Sequence, residues 1–191
     1  MTTITIKVPK WLDKILAWPV LIYRRWRYGY SYRRIPVGEG YFAIVDPGDY
    51  YWLNRFHWML RRNNNSIYAF RFFDEPGKKT KIISMHRDIM KPRKGLLVDH
   101  RNRNALDNRR ENLRIATRCQ NMQNRSKIKK ATTSRFIGVH KEKRTGHWVA
   151  NIDYRGKTIY LGTYINEVDA AKAYDKAAKK YRREFANLNF P

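Results

Sequence analysis

The sequence predicts an α+β protein in which strand-rich segments each lead into a helix, and three observations carry that reading. A short apolar run, Leu96-Leu97-Val98, ends in Asp99-His100 and is followed by a polar, Asn-rich loop and a helix-forming stretch. Three β-like segments, Phe136 to His140, Trp148 to Asp153 and Thr158 to Tyr164, precede an Ala-rich helical stretch from Val168 to Tyr181. Aromatic residues make up 14% of the chain, too many for a disordered basic tail, so a packed core is expected.

Residues 1–36 come first. Trp11, Leu12, Ile15, Leu16, Pro19, Ile22, Tyr23 and Trp26 recur at helical spacing, with Pro19 as a kink or break. Arg24, Arg25, Arg27, Arg33 and Arg34 follow among aromatics. This pattern fits an arm lying on nucleic acid. It also fits an amphipathic helix packed on its own protein or resting on a membrane surface, since aromatic-rich amphipathic helices mostly bury their apolar face.

Residues 37–85 form a β-rich lead-in. Tyr41 to Val45 reads as a strand, Asp46-Pro-Gly-Asp49 as a turn, and Asp49 as the cap of a short helix toward Phe56. Asn63 to Ser66 reads as a hairpin turn, after which Tyr68, Phe70 and Phe72 alternate along a strand. Pro76-Gly77 turns the chain again, and Ile82 to His86 extends it. His86 is expected to brace the fold, and His57 to be a core or surface residue.

Residues 86–123 contain the Asp99-His100 segment, an Asn-rich loop from Arg101 to Arg110, and an expected helix from Glu111 or Asn112 to about Met122. Residues 124–134 are polar and basic and read as a linker. In residues 135–191, Arg144-Thr-Gly146 and Arg155-Gly156 are the turns of a three-stranded antiparallel sheet. Ala170, Ala171, Tyr174, Ala177, Ala178 and Tyr181 share one helical stripe, small enough for that helix to lie close on the sheet.

Charge narrows the function. The chain carries 41 Lys and Arg against 16 Asp and Glu, a formal +25. Such an excess calls for a polyanionic partner, with nucleic acid first and an anionic membrane surface second. From residue 76 to 135 there are 18 Lys and Arg against 4 Asp and Glu, so the charge concentrates around Asp99-His100 and the linker. The single Cys119 rules out a disulfide framework or Cys-based zinc knuckle, fits a reducing compartment, and is expected to be a small buried helix residue. Trp11 to Tyr23 is interrupted by Asp13 and Lys14, lacks a small-residue cleavage site, and is too short to span a bilayer. No membrane partner is expected.

The spacing of Asp99, His100, Asn112 and Asn121 fits a one-metal phosphodiesterase. A carboxylate and an amide oxygen leave other positions to water and phosphate, which suits Mg²⁺ best and admits Mn²⁺. Histidine, with an ordinary pKa of about 6.5, is a fitting general base. Asn112 can orient His100 or tie the loop down. Arg114 and Arg118, read as one helical turn apart, are placed to clamp a phosphate.

Residues 86–124 resemble the HNH family of endonucleases, in the phage- and intron-associated subtype with asparagine at the helical ligand. The resemblance rests on Val98-Asp99-His100, Asn112-Leu113-Arg114 and Thr117-Arg118-Cys119-Gln120-Asn121, with His86-Arg87 ahead of them. It implies a ββα-metal core with Asp99 and Asn121 as metal ligands, His100 as general base and Asn112 as loop brace. It also implies action in the cytoplasm of a bacterial or phage-infected cell.

Residues 135–191 resemble the plant APETALA-type, or ethylene-response-factor, DNA-binding domain. The matching words are Phe136-Ile-Gly138-Val139, Gly146-His-Trp148-Val-Ala150-Asn-Ile152, Leu161-Gly162-Thr-Tyr164, Ala170-Ala171-Lys-Ala173-Tyr174-Asp175 and Asn189-Phe190-Pro191. The resemblance implies a three-stranded sheet entering the major groove of double-stranded DNA with the helix behind it. Alternation then turns Trp148, Ala150 and Ile152 to the helix, and Val149, Asn151, Asp153, Thr158 and Tyr160 outward. Lys141, Lys143, Arg144, Arg155 and Lys157 read as phosphate contacts. Ile137 and His140 stand where that family places arginines, and Asp153 where it places a basic residue, so base preference does not transfer. The combined expectation is a metal-dependent DNA endonuclease, monomeric or homodimeric, targeted by its C-terminal domain. The alternative is a catalytically silent DNA-binding regulator derived from such a nuclease.

Overall fold

The computed structural model describes residues 9–63, 66–123 and 133–191. The expected linker at 124–134 and the tip of the 63–66 hairpin therefore fall largely outside the described residues. Two compact units are present: residues 1–91 with 104–114, and residues 92–103 with 115–191.

The first unit begins with α1 (Lys10–Tyr28), which runs on through Pro19. The expected break is absent. Pro19 lies on the exposed side of α1, where water can satisfy the carbonyl that loses its intrahelical donor. Next come β1 (Arg33–Pro36) and β2 (Phe42–Val45), an antiparallel pair in which Ile35 faces Ala43. Helix α2 (Pro47–Leu53) starts at Asp46 and not at Asp49, because Pro47 is preorganised for the first helical position. Asp49 is instead buried within α2, where it accepts hydrogen bonds from Trp52 and Arg110.

A three-stranded antiparallel sheet follows, made of β3 (Met59–Asn63), β4 (Ser66–Phe73) and β5 (Lys81–Ser84), with β4 in the centre. Along β4 the buried residues are Ala69 and Arg71, while Phe72 is exposed. Arg71 is held there by Asp88 at 2.9 Å and lies 4.0 Å from the Phe56 ring centre. The extended segment expected through His86 stops at Ser84, and α3 (Met85–Met90) begins there, burying Met85 and Ile89. His86 lies on α3 with its ring 5.6 Å from that of Tyr68; His57 is exposed. Trp58, Tyr32, Ile35, Val37, Ala43, Val45, Leu53 and Ala105 are also buried in this unit.

The second unit takes in β6 (Leu97–His100), the last two residues of β7 (Leu113–Ala116), and α4 (Arg118–Gln123). Strands β6 and β7 are hydrogen-bonded in a two-stranded sheet, and α4 packs on β6. The helix expected from Glu111 onward is therefore corrected: Arg110–Asn112 is a single 3-10 turn, and a strand precedes the helix. Leu113 and Ala116 are buried on that strand. The true helix start is a capping box, in which the Thr117 hydroxyl accepts the Gln120 N–H at 3.3 Å and the Gln120 side chain accepts the Thr117 N–H at 2.8 Å.

Strands β8 (Val139–Lys141), β9 (Trp148–Tyr154) and β10 (Lys157–Tyr164) form an antiparallel sheet centred on β9, and α5 (Glu167–Arg182) covers one face. The expected stripe packs as read. Ala170 and Ala171 meet Val139 and Ala150, and Tyr174, Ala177 and Ala178 meet Ile152. Thr133 and Ser134 belong to this structure, since the Thr133 hydroxyl accepts the Lys141 N–H and the Ser134 hydroxyl donates to Glu167. At the C-terminus, buried Asp175 accepts the Asn189 and Phe190 N–H groups at 2.8 and 2.9 Å, and Asn189 in turn accepts the Ile137 N–H at 2.7 Å. This clasp ties the end of the chain to the segment leading into β8.

Candidate active site and nucleic-acid interface

Strand β6 is buried on both faces at its end, so Asp99 and His100 are both shielded from solvent despite pointing to opposite sides. A buried carboxylate beside a buried imidazole is costly unless each is partnered, and an apolar residue at either position would pack more cheaply. Asn121 is half-buried on α4, the helix that packs on β6, with its N–H bonded to the Thr117 carbonyl at 3.0 Å. The capping box thus fixes the first turn of the helix that carries Asn121.

Arg118 opens α4 and is exposed, whereas Arg114 is buried on β7. The two arginines do not share a helix, which corrects the expected spacing. Cys119 is exposed and not buried, because α4 is short and Gln120 and Asn121 are the less exposed part of its surface.

Asn112 belongs to the first unit, on the 3-10 turn, where it is buried and its side-chain amide donates to the Asp107 carbonyl at 2.7 Å. The loop it closes is braced further. Arg109 makes two 2.8 Å bonds to the Asp107 carboxylate and lies 3.3 Å from the Tyr30 ring centre. Burial works to lower the Arg109 pKa, but the Asp107 pairing outweighs it and holds the guanidinium above its ordinary value. Arg110 spans to Asp49 with bonds of 2.7 and 2.8 Å, and its N–H donates to Asp46. Sequence reasoning missed Asp107, Arg109 and Arg110 as a brace. One Asp followed closely by two Arg in Asp107-Asn108-Arg109-Arg110 was the available signal.

Among the described residues, no three His, Cys, Asp or Glu side chains gather into a metal-binding group. Asp99 on β6 and Asn121 on α4, two elements that pack together, are the carboxylate and the amide that could hold an ion here. Hard oxygen donors with most positions left to water and phosphate fit Mg²⁺ or Mn²⁺ and do not fit a closed zinc site.

On the C-terminal sheet, Ala150 and Ile152 are buried toward α5 and Trp148 packs beside them, as alternation requires. On the opposite face His140, Asp153, Thr158 and Tyr160 are exposed and Asn151 is half-buried, whereas Lys141 pairs with Trp148 and stands on the α5 side, its ammonium 5.6 Å from the Trp148 ring centre. Val149 is an exception. It is buried on the outward face because β9 is central, with His140 beside it on β8 and Thr163 on β10. Asp153 accepts the Thr158 hydroxyl at 2.6 Å, and the Tyr160 hydroxyl is 2.7 Å from that of Thr163. Lys143 and Arg144 are exposed in the β8–β9 connection, and Arg155 and Lys157 at the β9–β10 turn. These cations rim the face without ion pairs to acids among the described residues.

Comparison with known proteins gives two kinds of match. Residues 91–123, which include β6, β7 and α4, match a protein family described as HNH endonuclease. Elsewhere the chain is similar to plant transcription factors. It is 41% identical over 61 residues to the AP2-like ethylene-responsive transcription factor TOE2 of Arabidopsis thaliana, covering 32% of this chain and 13% of that protein. The APETALA2-like protein 2 of Oryza sativa subsp. indica gives the same identity over 61 residues, 14% of its length. The dehydration-responsive element-binding protein 2A of Arabidopsis thaliana is 45% identical over 58 residues, 29% of this chain and 17% of that protein. The chain thus spans less than a fifth of each of these relatives, and the likeness concerns one module of each.

Proposed function

We propose that the chain is a metal-dependent DNA endonuclease whose C-terminal sheet holds it on duplex DNA. The observation that carries this reading is the burial of Asp99 and His100 together at the end of β6, with Asn121 on the helix packed against that strand. Asp99 and Asn121 would hold the ion. When bound, Mg²⁺ or Mn²⁺ supplies charge stabilisation at the phosphate and the leaving oxygen.

His100 accepts a proton from water as the water oxygen bonds to phosphorus. The phosphorus–oxygen bond to the leaving group breaks, and the released oxygen takes a proton from solvent. Asn112 keeps the preceding loop closed through the Asp107 carbonyl. Arg118, exposed at the start of α4, neutralises a neighbouring phosphate. On the sheet, Lys143, Arg144, Arg155 and Lys157 engage phosphates, while His140, Asn151, Asp153 and Tyr160 face the groove.

The test is nicking of supercoiled plasmid with Mg²⁺ or Mn²⁺, with and without chelator. Metal-dependent nicking is expected, and His100→Ala should lower its rate by about 10²–10⁴-fold with DNA affinity unchanged. Absence of cleavage by the intact chain with either metal, or an unaffected His100→Ala variant, refutes the proposal.

A further inference from the structure

Helix α1 is mounted with its polar side inward. Asp13 pairs with Arg33 at 3.1 Å, Arg24 donates to the Tyr32 carbonyl, and the Leu21 carbonyl accepts the Ser31 hydroxyl at 3.0 Å. Together with half-buried Ala17, these residues form the side of α1 that meets its own unit. At 100° per residue, Trp11, Ile15, Trp18, Ile22 and Trp26 fall within a sector of about 80° on another side. That sector is bare: Trp11 is 65% exposed, Trp18 67% and Trp26 80%, with Ile15 and Ile22 above half. Leu16, Tyr23 and Val20 widen the exposed apolar arc. Lys14 and Arg25 flank the stripe on one side, and Arg27 stands across the arc.

Three indoles and two isoleucines in a row about 22 Å long constitute an exposed apolar patch beyond what a solvated helix needs. We propose that α1 is a docking helix for an anionic lipid surface, lying in the headgroup plane with this stripe toward the acyl chains. Indoles suit that boundary because an apolar ring carries one polar N–H, and flanking Lys14, Arg25 and Arg27 meet the lipid phosphates. The helix lies on the bilayer and does not cross it; no described helix is long and apolar enough for that.

Charge decides among the occupants. A second copy would bring another +25 chain and another set of flanking cations against the first. Duplex DNA offers the cations a partner but gives a continuous apolar stripe only a hydrated, polar surface. An anionic bilayer satisfies both. This proposal goes beyond the expectation from sequence and is independent of the nuclease reading.

The experiment is flotation of the full chain with vesicles of phosphatidylcholine alone or mixed with phosphatidylglycerol, alongside tryptophan emission. Binding to the mixed vesicles with a blue shift is expected. The double variant Trp18→Ser/Ile22→Ser, unchanged in charge and altered only at exposed positions, should lose at least about tenfold in vesicle affinity. Trp26→Ser should lose affinity as well, and circular dichroism checks that both variants fold. Equal flotation of wild type and double variant would show charge adsorption alone and overturn the proposal. So would a wild type that sediments as a dimer and becomes monomeric on the double substitution without any lipid effect, or a stripe variant that loses DNA affinity and keeps vesicle affinity.

Discussion

Gly138 is the position where one added methyl group should do most damage to the C-terminal module. Its φ is +71°, and a Cβ built there would stand 2.1 Å from Tyr174 Cδ2, 2.4 Å from Cε2 and 2.6 Å from the Asn151 carbonyl oxygen. Neither neighbour can withdraw. The Tyr174 ring is fully buried with its hydroxyl bonded to Arg182 at 2.8 Å, and Asn151 donates its own N–H to the Gly138 carbonyl. Left-handed backbone costs an L-residue about 1–2 kcal/mol, and overpacking a set core costs about 1–3 kcal/mol. Gly138→Ala should therefore lose about 2–5 kcal/mol, much of a stability of about 5–15 kcal/mol. Gly146→Ala is the internal control, since its φ is +72° but nothing lies within 4 Å of its Cβ. It should lose only about 1 kcal/mol. Urea unfolding read through amide exchange in β9 and α5 separates the two: with a slope of about 2 kcal/mol per molar, Gly138→Ala should move the midpoint down by about 1–2.5 M. Equal shifts for the two variants would refute the collision and leave only the backbone term.

Three other outcomes follow from the same structure. Asp175→Asn removes the carboxylate that clasps Asn189 and Phe190; a loss of about 1.5–3 kcal/mol and faster proteolysis at the C-terminus are expected, and unchanged proteolysis would count against the clasp. For Asp49, burial works to raise the pKa, but hydrogen bonds from Arg110 and Trp52 overcome it and hold the carboxyl below its ordinary value. Its contribution is complete above about pH 4 and is lost as pH falls through the lowered native value, so Asp49→Asn should be less stable near neutrality and flatter on the acid limb of a pH–stability curve. A parallel acid limb would show that Asp49 does not carry the linkage. Thr117→Val breaks the capping box that starts α4 and should cost about 1 kcal/mol, read by urea denaturation; no loss would show that the box is not formed in solution.

The parts of the fold legible in the sequence are those whose pattern is local. The C-terminal strands and α5 were readable because alternation along Trp148 to Asp153 and the alanine stripe from Ala170 to Ala178 both declare one buried face. Arg71 shows the opposite case. Three aromatics alternate on β4, yet the buried position beside Ala69 belongs to an arginine, because Asp88, 17 residues away, arrives on α3 to pair with it. No window around Arg71 contains that information. Between Asn112 and Asn121 the failure was of another kind. Leu113-Arg-Ile-Ala116 can serve a strand or a helix, and the choice rests on Thr117-Arg-Cys-Gln120, a four-residue box that marks where the helix starts. Reading that box would have put Arg114 on a strand, shortened the helix to the turns that carry Arg118 and Asn121, and left Cys119 to solvent. The spacing of Asp99, His100, Asn112 and Asn121 in the chain does not depend on which element bridges them, so the misread strand left that reading as it stood. The outward stripe of α1 was legible only as a stripe. Periodicity finds an apolar face, but only the ties of Asp13, Arg24 and Leu21 to the residues that follow show that this face is the one left uncovered.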